Sequence, residues 1–156
     1  MTLYLVQHAE ALRKDENSDR PLSDRGRNDT QRMASFLARS GLKAARVIHS
    51  GKTRARETAA LLSQVIGPGG VVEEIDAGLS PNDGTDSLKF LADNWQEDVI
   101  VVGHLPFMGR MVSHLVCGSP EVTSVTFEPG AMACLEKDQS GNWTLQWMVR
   151  PALLGG

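Results

Sequence analysis

Apolar residues along this chain gather in three short runs, at residues 3–6, 45–48 and 99–102, separated by longer stretches where they recur every three or four positions. Runs of that length, rich in β-branched residues and bounded by turn formers, are the pattern of strands buried on both faces. The stretches between them predict helices. Residues 23–39 carry Met33, Phe36 and Leu37 at helical spacing, with Ser23 placed to cap the start and Gly41 just past the end. Residues 53–65 carry Ala55, Thr58, Ala59, Leu62 and Val65 along one side, ahead of a Gly67-Pro68-Gly69-Gly70 breaker. Residues 86–95 and 108–116 predict two further helices. Later, residues 123–128, 132–136 and 143–149 alternate more, as strands do, and DQSGN at 138–142 predicts a hairpin turn.

Strands alternating with helices predict an α/β fold: a three-layer αβα sandwich whose mostly parallel central sheet carries helices on both faces. No repeat, low-complexity tract or linker interrupts it, so residues 1–156 read as a single domain.

Composition narrows the class. A chain of 156 residues with 41% hydrophobic positions buries a sizeable core and is not pervasively disordered. Net charge is −3 with both signs mixed, so no extended basic face predicts a nucleic-acid or membrane-surface partner. The first apolar run is too short for a signal peptide, and no segment has the apolar length that crosses a bilayer. Cys117 and Cys134 lack metal-ligand spacing and read as buried thiols. The expectation is a cytoplasmic monomer.

The chemistry stands where the runs end. They close as YLVQH, RVIHS and VIVVGH, and in open α/β sheets ligands bind outside the carboxyl ends of the strands. A single histidine there is ordinarily structural. Two in equivalent places, His8 and His104, predict a shared site, with Ser50 and the next helix close by. His49 reads as structural and His114 as packing or surface. Gly51-Lys52-Thr53 invites a P-loop reading, but that motif needs glycine where Arg46 stands. Instead, Ser50 as an N-cap would place Arg54 in the first helical turn, where free N–H groups and the dipole favour an anion and a guanidinium matches phosphate oxygens. Arg56 reads as a solvated helix face. Arg20, ahead of Pro21 and the capping Ser23, offers a further cation, although a surface arginine would look the same. His8, His104, Arg54 and Arg20 make an anion pocket suited to a phosphoryl group, in which a neutral histidine can act as nucleophile.

These stretches resemble the histidine phosphatase superfamily, with its phosphoglycerate-mutase-like fold. LYLVQHAEA resembles the family's opening strand and Arg-His-Gly, with His8 in the nucleophile's place. HSGKTRARETA resembles its Ser-x-x-x-Arg-Ala-x-x-Thr segment and VIVVGHLPFMGRM its late Gly-His, which makes Arg54 and His104 the other catalytic residues. Arg20-Pro21-Leu22-Ser23-Asp24-Arg25-Gly26 and Gly103-His104-Leu105-Pro106 are similar to short phosphohistidine phosphatases of the SixA type.

The resemblance implies a metal-independent phosphatase working through a phosphohistidine intermediate, with no cofactor, acting on phosphohistidine in a protein. Gln7, Arg20, Ala9 and Ser50 then line the phosphate site. Two residues depart from the pattern. Ala9 replaces glycine, which matters only if the backbone there needs a positive φ. Gln7 replaces arginine, keeping an N–H donor but losing the charge and the fork. Superfamily phosphomonoesterases also use a carboxylate acid; in GLSPNDGTD, residues 78–86, only the position of Asp83 suggests it. An imidazole leaving group, with a pKa of about 6.5, departs with less help than an alkoxide, so a missing acid favours phosphohistidine. The alternatives are a small-molecule phosphomonoesterase and, because of Gln7, a weakened phosphate- or phosphoprotein-binding module.

Overall fold

A computed structural model describes residues 1–75 and 78–155. Six strands form one sheet: β1 (Thr2–Gln7), β2 (Arg46–His49), β3 (Glu73–Glu74), β4 (Val99–Gly103), β5 (Met132–Lys137) and β6 (Trp143–Val149). Their order is β3-β2-β4-β1-β5-β6, parallel from β3 through β1 and antiparallel at β5 and β6. Four helices cover it among the described residues: α1 (Asp24–Arg39), α2 (Thr53–Ile66), α3 (Asp86–Asn94) and α4 (Phe107–Cys117).

The strand period of two divides the core. Leu3, Leu5, Val99 and Val101 face Leu88 and Ala92 of α3 and Phe107, Met108 and Met111 of α4. Tyr4, Val6, Ile100 and Val102 face Met33 and Leu37 of α1 and Ala55, Ala59 and Leu62 of α2. Both sides of β1 and β4 are therefore covered, which is why their sequences run apolar without alternation. Each such Leu, Ile or Val contributes roughly 1.5–3 kcal/mol by leaving water. The fold is the expected layered α/β arrangement, a mostly parallel sheet between two helical layers.

Helix ends follow their capping residues. Ser23 accepts a hydrogen bond from the Gly26 N–H at 3.0 Å and starts α1. Gly41 ends it at φ 83°, its N–H donating to the Ala38 carbonyl.

Several expectations are corrected. Residues 123–128 form no strand: β-branched residues there lie in an exposed irregular segment, because β5 already pairs with β1 and β6 and offers them no free edge. Phe36 is 40% exposed and Val65 47%, while Ile66 is fully buried, so the α2 stripe is rotated toward its last residue. Cys117, at the end of α4, is exposed; Cys134, on β5, is buried. Ser50 does not cap α2. Lys52 occupies that position without a side-chain cap, leaving the Ser50 hydroxyl for another partner.

Candidate active site

Parallel pairing of β1 with β4 aligns Gln7 with Gly103, so His8 and His104 emerge side by side at one sheet edge. The His8 N–H continues the ladder to the Gly103 carbonyl at 3.0 Å. The two imidazole centroids lie 5.1 Å apart. Gly130, at φ 81°, turns its N–H onto both the Gln7 and the His8 carbonyls at 3.1 Å, closing the backbone beneath them.

The His8 ring is held by its own neighbour: Nδ1 lies 2.8 Å from the Ala9 carbonyl. A carbonyl only accepts, so Nδ1 carries the proton and Nε2 carries the lone pair. Arg54 Nε donates to that lone pair at 3.3 Å. Burial lowers the His8 pKa to about 4, the Ala9 carbonyl acting against it and the Arg54 and Arg20 charges adding to it. His104 is 2% exposed. Burial, then the charges of His8, Arg54, Lys52 and Arg20, push its pKa down to about 3. Both rings are neutral near pH 7.

Thr58 fixes Arg54 relative to His8. Its hydroxyl donates to the Arg54 carbonyl at 2.8 Å and its oxygen accepts the Ala9 N–H at 3.0 Å, stitching the first turn of α2 to the β1 loop. The next clamp is Glu57, which accepts the Leu22 N–H and an Arg27 guanidinium N–H, each at 2.8 Å. It holds the segment that carries Arg20. Arg20 itself adopts φ 50°, with Nε donating to the Leu12 carbonyl at 2.9 Å. Gly26 explains its place in that segment differently: a Cβ there would sit 2.1 Å from the Glu10 carbonyl oxygen. That oxygen already accepts the Ser23 N–H at 3.0 Å.

The structure thus brings together His8, His104, Arg54 and Ser50, with Arg20 and Lys52 close enough to bias the imidazoles. Ala9 is fully buried, and its backbone is not among those with positive φ, so replacing glycine imposes no strain. Gln7 is 8% exposed and its Oε1 is buried without a hydrogen-bond partner among the described residues. Asp83 is occupied locally: Oδ2 accepts the Gly78 N–H at 3.1 Å and the Ser80 N–H at 2.9 Å, tying its own turn. His49 accepts the Gly51 N–H and His114 pairs with the Thr85 hydroxyl, both structural contacts. Arg56 is exposed, as read.

Sequence reasoning missed Glu57 as a clamp, since only the tertiary fold brings α2 to residue 22. Thr58 had a local signal, a hydroxyl four residues after Arg54 and able to back-bond its carbonyl, but counted only as part of an apolar stripe. Among the described residues, no group of three or more His, Cys, Asp or Glu is placed to hold a metal ion. No described helix is long and apolar enough to cross a membrane.

The profile of the Histidine phosphatase superfamily (branch 1) matches residues 3–80. Phosphohistidine phosphatase SixA of Escherichia coli K12 is 28% identical over 99% of this chain and 96% of its own length. A structure of the protein histidine phosphatase SixA complexed with tungstate superposes with a TM-score of 0.85 at 26% identity, covering 99% of both chains. The alpha-ribazole phosphatase of Shigella flexneri shares the fold at a TM-score of 0.73 and 16% identity, covering 97% of each.

Proposed function

This chain belongs to the histidine phosphatase superfamily, and from that membership we propose that it dephosphorylates phosphohistidine on a protein, using His8 as the nucleophile. The observation that carries the reading is the state of His8. Its Nδ1–H is committed to the Ala9 carbonyl, and its Nε2 lone pair is free of a proton and aligned by Arg54.

Nε2 attacks phosphorus in line. The bond from phosphorus to the substrate's imidazole nitrogen breaks, and the electron pair leaves with that nitrogen; the ring's other nitrogen is already protonated, so the group departs as neutral imidazole. Arg54, Arg20 and His104 hold the equatorial oxygens, where phosphoryl transfer places its charge. Water then attacks the phosphorus on His8, releasing inorganic phosphate and restoring the neutral ring. The leaving imidazole has a pKa of about 6.5, so no strong acid need stand behind it. This agrees with Asp83 being bound into its own turn. The relatives of similar length are named for phosphohistidine and for the protein histidine phosphatase activity, which supports a protein substrate. We read residues 1–156 as one domain, acting as a cytoplasmic monomer.

The test compares turnover of a phosphohistidine protein with that of a phosphorylated sugar, together with trapping of labelled phosphate on the enzyme. The expected result is faster turnover of the protein, with label on the parent and none on His8→Ala. Sugar ester turnover equal to or faster than the protein's would shift the reading to a small-molecule phosphomonoesterase. An unlabelled parent whose ligand binding survives His8→Ala would make it a binding module.

A further inference from the structure

Ser50 does not cap α2, and its hydroxyl turns to His104 instead. Its Oγ lies 2.6 Å from Nε2 of His104. The same oxygen accepts the Lys52 N–H at 3.4 Å. A serine hydroxyl has one hydrogen and two lone pairs. The Lys52 N–H occupies one lone pair, which leaves the hydroxyl hydrogen free to be donated to Nε2. The ring's other nitrogen, Nδ1, is buried with no partner among the described residues.

We propose that Ser50 is a positioning residue that holds His104 in its Nδ1–H tautomer, so that the buried ring offers a neutral N–H donor to a phosphoryl oxygen. Nε2 is spent on Ser50, and Nδ1 is the ring nitrogen left without a partner among the described residues. Its two possible states differ sharply in what they do to an anion. An Nδ1 lone pair would face phosphoryl oxygens with negative charge density and repel them. An Nδ1–H supplies a hydrogen bond to an oxygen already neutralised by Arg54, Arg20 and Lys52. A buried donor left unpaired is costly, and a ligand that supplies the acceptor recovers that cost. The histidine would thus contribute as a dipole of fixed direction, its ring orientation set by a neighbour that itself never touches the substrate.

The donor role rests on the phosphatase reading; the tautomer does not. The experiment is nitrogen-detected imidazole NMR on 15N-histidine protein at pH 7, with the His104 signals assigned by their loss in His104→Asn. The expected parent spectrum is a neutral ring with its proton on Nδ1. Ser50→Thr, which keeps the hydroxyl, should keep that pattern. Ser50→Ala should move the proton toward Nε2 and lower kcat by about ten- to a hundredfold, the range for partners that orient a functional imidazole, with KM nearly unchanged. A proton on Nε2 in the parent overturns the proposal, and so does an unmoved tautomer in Ser50→Ala. If Ser50→Ala does not fold, the parent and Ser50→Thr spectra still decide, since Nε2–H in either one overturns it. An Nδ1–H ring in a parent that turns over no phosphohistidine substrate upholds the tautomer and sinks the phosphatase reading instead.

Discussion

Strands β1 and β4 change character within a single residue. Between residues 3 and 6, and again between 99 and 102, every side chain is buried and apolar or, for Tyr4, aromatic, and the backbone is paired on both sides. One step on stand Gln7 and, past Gly103, His104, both buried and each with a polar atom that has no partner among the described residues. Interiors of this kind hold the fold together. Their ends leave hydrogen-bonding capacity unspent, and unspent buried capacity is what a ligand completes. Stability and chemistry therefore occupy the same strands without sharing residues.

The sharpest way to break that division is a pair of substitutions three residues apart. His8→Ala should abolish phosphate labelling and cut turnover by roughly a thousandfold or more, while the urea midpoint stays near the parent's. Leu5→Ala, fully buried in the same strand, should do the reverse. It should cost about 2–5 kcal/mol of unfolding free energy and leave kcat of the folded fraction close to the parent's. Equal losses of stability and turnover in both variants would show that strand and site are not separable.

Arg54→Lys tests the end of the strand more finely. Lysine keeps the charge but not the fork, and its ammonium cannot aim a fixed N–H at the His8 lone pair as Nε does at 3.3 Å. The expected loss is on the order of a hundredfold in kcat/KM, similar to deleting one oriented donor from a charge-stabilising site. Thr58→Val should give a smaller loss in the same direction, since it removes the bonds that tie Arg54 to Ala9 but not the guanidinium.

A pH series separates the two regions by a different route. In the unfolded chain His8 and His104 take up protons near their usual value of 6.5, whereas folding lowers them to about 4 and about 3. The folded state's advantage is whole above pH 6.5 and is lost as pH falls from there toward those lowered values, because the unfolded chain binds protons that the folded site refuses. The urea midpoint should therefore fall between pH 7 and pH 4.5, and should fall less in His8→Ala. In activity the same depression predicts that neutral His8 persists down to about pH 4, so a loss of labelling centred near 6.5 would contradict the buried, neutral nucleophile.

How much of this the sequence could show follows from range. The buried strands, the Ser23 cap and the Gly41 stop are local patterns, and each was legible as a run, a spacing or a single residue type. The convergence of His8, Arg54 and His104 was legible because strand ends in a parallel sheet share one edge. Ser50 was misread because its role depends on a residue 54 positions away that competes with the helix start for one hydroxyl. Residues 123–128 have the composition of a strand, yet they pair with none, and the nearby β5 is already paired on both edges. Glu57 gave no signal at all, since its partners Leu22 and Arg27 become its neighbours only when α1 and α2 pack.

Gln7 remains the position where this chain departs furthest from the pattern it otherwise follows, and it joins the two regions compared above. It is the last residue of β1, buried like the strand and unsatisfied like the site. Glutamine brings an acceptor oxygen that no donor among the described residues meets. Arginine would bring donors and a charge to a place where Arg54, Arg20 and Lys52 already act on His104. A further cation should stabilise the transition state, and the same crowding of positive charge, together with the burial of a guanidinium, should offset much of that gain. The expected result for Gln7→Arg is therefore a rise of about tenfold or less in kcat/KM on a phosphohistidine protein, together with a lower urea midpoint. Gln7→Leu, which removes the amide but adds no charge, should raise stability by ending the unpaired oxygen. If Gln7→Arg gains nothing and Gln7→Leu loses turnover, the amide is itself part of the site, and the boundary between strand and chemistry lies one residue earlier than His8.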